Sequence, residues 1–153
     1  MNKIKLIVYD FDGVMTDNCA LVDEKGNELV KVNRSDGLAI SKIKEKGIKQ
    51  IILSTEKNKV VSKRAEKLGI DCYQDNSNKK EFLLNYCKKQ EISLDEVVFI
   101  GNDINDLEAM KLTGRSYCPS DANQKIKKIA SETLKTKGGE GVIREFYDFI
   151  LQK

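Results

Sequence analysis

Two carboxylates stand two residues apart in Tyr9-Asp10-Phe11-Asp12-Gly13, with Thr16 and Asp17 close behind. Such neighbours repel when both are ionised, and they persist most easily beside a cation or as an acid/base pair. Asp-Gly is also ordinary turn chemistry, so the pair alone decides little; the flanking Gly13, Thr16 and Asp17 sharpen it. Three more polar clusters invite attention: Ser54–Asn58, Gln74–Lys79 and Gly101–Asp106. The chain contains no His. A His-assisted Ser or Cys nucleophile is therefore excluded, and acid–base work near neutral pH falls to carboxylates, Lys, Tyr or Cys.

The elements that carry these clusters can be read from periodicity. Lys5–Tyr9 is a short apolar run, expected as a buried parallel strand with function at its C-terminal end. Ala20–Val22 and Glu28–Val32 flank the turn-forming Asp23-Glu24-Lys25-Gly26-Asn27 and predict a small β-hairpin. Ser35-Asp36 is expected to cap a helix over Gly37–Lys46, with Gly47 ending it. Strands are expected at Gln50–Leu53, Asp71–Tyr73, Glu96–Ile100 and Ser116–Cys118. Helices are expected over Asn58–Leu68, Lys79–Gln90, Ile104–Leu112, Ala122–Ile129 and Val142–Leu151. The alternation predicts an α/β, doubly wound Rossmann-like parallel sheet with helices on both faces. Ligands in such folds gather at the C-terminal ends of strands, and all four clusters follow predicted strands.

At 153 residues the chain is expected to form a single domain, residues 1–153, with the hairpin at about 19–33. The net charge of +3, with 27 basic and 24 acidic residues interspersed, shows no basic stripe for nucleic acid. The Lys residues sit mostly at helical spacing beside Glu and read as solvated helix faces. Cys19, Cys72, Cys87 and Cys118 form no C-x-x-C pair and are expected to be free thiols in a reducing compartment. No run is long enough for a signal peptide or a membrane span. The expected location is cytoplasmic.

Asp10-Phe11-Asp12-Gly13-Val14-Met15-Thr16 resembles the first motif of the haloacid dehalogenase superfamily. The other motifs follow in order. Ile51-Ile52-Leu53-Ser54 is similar to the second, Lys79 to the third and Gly101-Asn102-Asp103-Ile104-Asn105-Asp106 to the acidic fourth. The resemblance spans about Lys5 to Arg144. It implies that Asp10 is the nucleophile of a phosphatase. Asp12 would be general acid, and its backbone carbonyl a Mg2+ ligand. Ser54 and Lys79 would hold the phosphoryl group. The chemistry is coherent: a carboxylate is repelled by a dianionic phosphate ester unless a divalent cation and a Lys cancel that charge. Relatives read Gly-Asp-Asp where this chain has Gly101-Asn102-Asp103. Either Asn102 ligates the metal through its amide or Asp103 takes that duty, and Asp106 holds Lys79 or a metal-bound water.

The spacings leave no room for a separate cap domain, only for the hairpin after the first motif. The finer resemblance is to the capless 3-deoxy-octulosonate 8-phosphate phosphatase group, through Val32–Gly37, Arg64–Gly69 and Gly138–Glu145. It implies a homotetramer in which a neighbouring subunit caps the site. Octulosonate enzymes carry Thr-Gly-Arg after the second strand, whereas this chain has Ser54-Thr55-Glu56. That is more similar to the branch acting on nonulosonate 9-phosphates, the deaminated and N-acylated sialic acids. Thr55 and Glu56 then face the substrate. Arg64 and Lys67 are candidates for its carboxylate, and Asn33 is a further candidate contact. The competing readings are an octulosonate 8-phosphate phosphatase and a non-catalytic tetramerising module of a cytidylyltransferase-type system.

Overall fold

A computed structural model of the chain describes residues 3–152. Met1, Asn2 and Lys153 of the expected 1–153 unit lie outside the described residues. In chain order the elements begin with β1 (Leu6–Tyr9), β2 (Leu21–Val22), β3 (Glu28–Leu29), α1 (Arg34–Glu45) and β4 (Lys49–Leu53). They continue with α2 (Val60–Leu68), β5 (Asp71–Tyr73), α3 (Lys79–Gln90), β6 (Val97–Ile100) and α4 (Leu107–Met110). The last are β7 (Arg115–Cys118), α5 (Gln124–Ile129), β8 (Glu132–Thr133) and α6 (Val142–Glu145), the latter continuing as a wider π-type helix over Phe146–Leu151.

The main sheet runs β5-β4-β1-β6-β7-β8 with every pair parallel. β1 and β6 are buried along their whole length, as continuous apolar runs require when both faces are covered. Alternate residues serve opposite faces. Ile7 and Tyr9 pack with Ala39, Ile40 and Ile43 of α1, Val61 of α2 and Phe146. Leu6 and Val8 pack with Leu83 of α3, Met110 of α4 and Ile126 of α5. This is the expected α/β sheet covered on both sides. The strand order reverses at β1, so the crevice between the ends of β1 and β6 is the natural ligand position. β2 and β3 form a separate antiparallel hairpin, joined to its base by a bridge between Thr16 and Val32. No helix among the described residues is long and apolar enough to cross a membrane.

Three expected helix starts need correction, and one strand was not expected. α1 begins before Ser35-Asp36, because Asn33 is its cap: Asn33 Oδ1 accepts from the Ser35 N–H at 2.8 Å and from Ser35 Oγ at 2.6 Å. The helix expected over Ile104–Leu112 opens as one tight 3-10 turn, Ile104–Asp106, because Asp103 and Asp106 side chains take the free N–H groups there. The helix expected from Ala122 starts at Gln124, capped by Asn123. β8 was not expected, since the exposed pair Glu132-Thr133 carries no apolar run.

Candidate active site

The end of β1 delivers Asp10, whose N–H still bonds to Ile100 of β6 at 2.9 Å. The chain then turns tightly, with the Val14, Met15 and Thr16 N–H groups directed at the Phe11 carbonyl. Thr16 Oγ1 accepts from the Gly13 N–H at 3.2 Å and donates to Asp12 Oδ1 at 3.4 Å, which holds Asp12 over the same opening. Lys79, the first residue of α3, reaches in from the other side. Its Nζ lies 2.7 Å from Asp10 Oδ1 and 2.7 Å from Asp106 Oδ1. Lys79 is 2% exposed and Asp106 fully buried, so this triad is a buried cation clamped by two carboxylates; removing one partner would leave an uncompensated buried charge. Asp106 Oδ2 is occupied as well, accepting from the Asn102 and Asp103 N–H groups at 3.0 and 3.3 Å. Asp106 thus both grips Lys79 and shapes the loop after β6.

Asn102 faces Asp10 across this loop. Turned inward, its side-chain nitrogen donates to Asp10 Oδ2 at 2.8 Å and to the Asp12 carbonyl oxygen at 2.9 Å. Rotating the amide puts Oδ1 in the same place, and three oxygens then converge. Hard cations such as magnesium bind octahedrally arranged oxygens at about 2.0–2.1 Å, which sets neighbouring oxygens about 3 Å apart. Asp10, the Asp12 carbonyl and Asn102 therefore form a donor set that fits a hard divalent cation. Gly13 makes the seat: at φ +86° a Cβ there would lie 2.0 Å from the Asn102 amide. The Asp103 carboxylate instead caps its own turn, accepting from the Ile104 N–H at 2.7 Å.

Burial, aided by the Asp106 carboxylate, pushes the Asp10 carboxyl up to about 7 against the pull of Lys79. Burial draws the Lys79 ammonium down, but Asp10 and Asp106 outweigh it and hold Lys79 above its ordinary value. Burial also raises Asp12, followed by the nearby Glu56 and Glu28 carboxylates, with the Thr16 hydroxyl opposing them. A carboxyl raised in this way is suited to carry a proton to a leaving group.

A pocket of about 230 Å³ opens over Asp10 and Asp12, with Ser54 and Thr55 on one side and the 102–105 loop on the other. Ser54 is buried, its Oγ accepting from the Glu56 N–H at 3.1 Å. Thr55 Oγ1 accepts from Asn105 Nδ2 at 3.3 Å across the pocket. The Glu56 carboxylate is fixed by the Lys57 and Asn58 N–H groups at 2.8 and 2.9 Å. Asp10, Asp12, Ser54, Thr55, Lys79, Asn102, Asp103 and Asp106 are thus brought together, with Glu56 beside them. Asn33, Arg64 and Lys67 are not. Arg64 Nη2 donates to the Asn33 carbonyl at 3.2 Å, and Arg64 and Lys67 line a separate groove of about 520 Å³ between α1 and α2. Sequence reasoning missed Asn18 and Asn105 at the pocket rim and Glu28 beside Asp12. Asn105 stands inside the fourth motif, so its position offered a signal; Asn18, just past the first motif, and Glu28, far along the hairpin, offered none.

Residues 10–146 match the haloacid dehalogenase-like hydrolase family. The chain belongs to that family. This haloacid dehalogenase-like hydrolase is 30% identical over 153 residues to the 3-deoxy-D-manno-octulosonate 8-phosphate phosphatase of Haemophilus influenzae, across 99% of this chain and 85% of that protein. Its fold is similar to that of a haloacid dehalogenase family hydrolase from Streptomyces avermitilis, with TM-score 0.94 and 38% identity over 97% of this chain and 86% of that one. It is also similar to the 3-deoxy-D-manno-octulosonate 8-phosphate phosphatase of Moraxella catarrhalis, solved with magnesium ion, phosphate ion and KDO. There the TM-score is 0.93 and the identity 29%, over 97% of this chain and 86% of that one. The hydrolase is accordingly a phosphoric monoester hydrolase.

Proposed function

We propose that this hydrolase removes phosphate from a sugar-acid phosphate monoester through a covalent intermediate on Asp10. The observation that carries the reading is the Asp10 carboxylate held between Lys79 Nζ and the Asn102 amide at the floor of an open pocket. Asp10, the Asp12 carbonyl and Asn102 would hold magnesium, which would supply the positive charge that lets a carboxylate approach a phosphate dianion. Asp10 attacks phosphorus and the bond to the ester oxygen breaks, while Asp12 gives that oxygen its proton. Ser54, Lys79 and the N–H groups after Asp10 stabilise the phosphoryl oxygens. In the second displacement Asp12 takes a proton from water, the water oxygen attacks phosphorus, and the Asp10 carboxylate is released with inorganic phosphate.

Two substrates have specific support. The relatives favour the eight-carbon acid, 3-deoxy-octulosonate 8-phosphate. Glu56 at the mouth favours a nine-carbon nonulosonate 9-phosphate, because a carboxylate receives polyol hydroxyls or an amide N–H better than a second anion. Asn33, Arg64 and Lys67 lie apart from the pocket within one chain, so we place them on the substrate of a neighbouring copy in a homotetramer. Phosphate release with magnesium from nonulosonate 9-phosphates, octulosonate 8-phosphate and simple sugar phosphates tests the reading. A large preference for either acid supports the class and selects its member; no release from any ester by folded protein overturns it.

A further inference from the structure

The hairpin carries one side chain that behaves unlike its neighbours. Leu21, Val22 and Leu29 are 74, 63 and 69% exposed, whereas Glu28, paired with Val22 across the ladder, is half-buried. Its Oε2 accepts from Asn58 Nδ2 at 3.2 Å. Asn58 is itself fixed: its Oδ1 accepts from the Val60 N–H at 3.0 Å, its carbonyl accepts from Gln74 Nε2 at 3.1 Å, and its N–H is one of the two that hold Glu56. Glu28 and Glu56 are therefore tied through Asn58 into one wall. Glu56 directly follows Thr55, which lines the pocket, so the tied pair stands at the pocket's rim. The Lys residues of the same segments pair elsewhere, Lys31 with Asp17 at 3.5 Å and Lys57 with Asp75 at 3.8 Å.

We infer that Glu28 is a specificity-determining residue that, with Glu56, admits esters whose phosphate-bearing end is a neutral polyol or an amine and rejects those with a second anion there. A fixed carboxylate accepts from hydroxyl and ammonium donors and repels a substrate carboxylate, so discrimination comes from the repulsive element as much as the attractive one. A sugar acid satisfies this wall only when its own carboxylate lies at the far end from the phosphate. The inference rests on the phosphatase reading above.

The test uses p-nitrophenyl phosphate hydrolysis, with glycerol phosphate and phosphoglycerate as competitors in the presence of magnesium. These two differ in whether the carbon chain next to the phosphate carries a hydroxyl or a carboxylate. In the wild type glycerol phosphate is expected to compete better. Glu28→Gln keeps an acceptor for Asn58 and removes the charge, and is expected to shift the ratio of inhibition constants toward phosphoglycerate by about tenfold. An unchanged ratio in Glu28→Gln overturns the inference. A shift seen in Glu28→Ala but not in Glu28→Gln also overturns it, since it would mark Glu28 as a structural anchor. Absence of p-nitrophenyl phosphate hydrolysis by folded wild type overturns the phosphatase reading and the inference with it.

Discussion

At the scale of single residues, the most distinctive feature is Asn102, an uncharged amide set against the Asp10 carboxylate. With its nitrogen inward it satisfies Asp10 Oδ2 and the Asp12 carbonyl, standing in for the positive charge that a cation brings. An Asp there would face Asp10 with Asp106 close by. Asn102→Asp is therefore expected to destabilise the metal-free protein by about 1–3 kcal/mol through like charges and lost donors. Ligand charge count tunes affinity, so magnesium should bind about tenfold more tightly to the variant. Thermal unfolding in EDTA and titration calorimetry with magnesium check the two effects; equal stability and equal affinity would refute the seating. Asp10, Asp12, Ser54 and Lys79 were legible because their chemistry is written in residue type at strand ends. Asn102 was a candidate there too, but the choice between it and Asp103 stayed open, because the approach of Asn102 to Asp10 depends on the left-handed turn at Gly13. The Glu28–Asn58 contact was not legible, since it joins residues 30 apart through the orientation of a hairpin that no periodicity encodes.

At the scale of elements, Asp36 ties α1 to the start of α6, accepting from the Arg144 N–H at 3.0 Å. Its second oxygen is buried without a hydrogen-bond partner among the described residues. Burial pushes its carboxyl up to about 6, opposed by the Arg144 and Ile143 N–H groups and by Arg64. A carboxyl raised on folding contributes stability below its unfolded pKa of about 4, and that contribution is lost as pH rises through the folded value. Asp36→Asn keeps the acceptor for Arg144 and removes the buried charge. It is expected to be more stable than wild type near pH 8 by about 1–2 kcal/mol, with the difference closing near pH 4. Denaturant unfolding at both values checks the sign; a variant less stable near pH 8 would contradict it. The element order was readable from alternating apolar runs, whereas the true start of α1 was not. Asn33, Ser35 and Asp36 are all good caps, and only the tertiary bond to Arg144 shows that Asp36 is engaged elsewhere.

At the scale of the whole molecule, the parallel sheet places the ends of β1, β4 and β6 side by side, which brings the first, second and fourth motifs together. Alternation of strands and helices predicted this arrangement, since both faces of such a sheet must be covered. What a single chain leaves open is the outer face of the hairpin. There Leu21 and Leu29 line an exposed groove of about 410 Å³. In the homotetramer proposed above, this face would pack against further copies of the chain. Replacing Leu21 and Leu29 together by Lys should convert the assembly to monomer in light scattering. It should also weaken sugar-acid binding by about tenfold or more, through loss of the neighbour's Arg64 and Lys67. A wild type that is monomeric at working concentration would contradict the assembly.

The central claim is that Asp10 becomes phosphorylated. The most direct measurement is an acid-quenched single turnover with magnesium and the best substrate of the panel, followed by peptide mass spectrometry. The account predicts a phosphoryl group on Asp10 that is absent in EDTA and in Asp10→Asn, a variant that folds but does not turn over. Turnover that survives in Asp10→Asn, or a phosphoryl group carried by another residue, would contradict it.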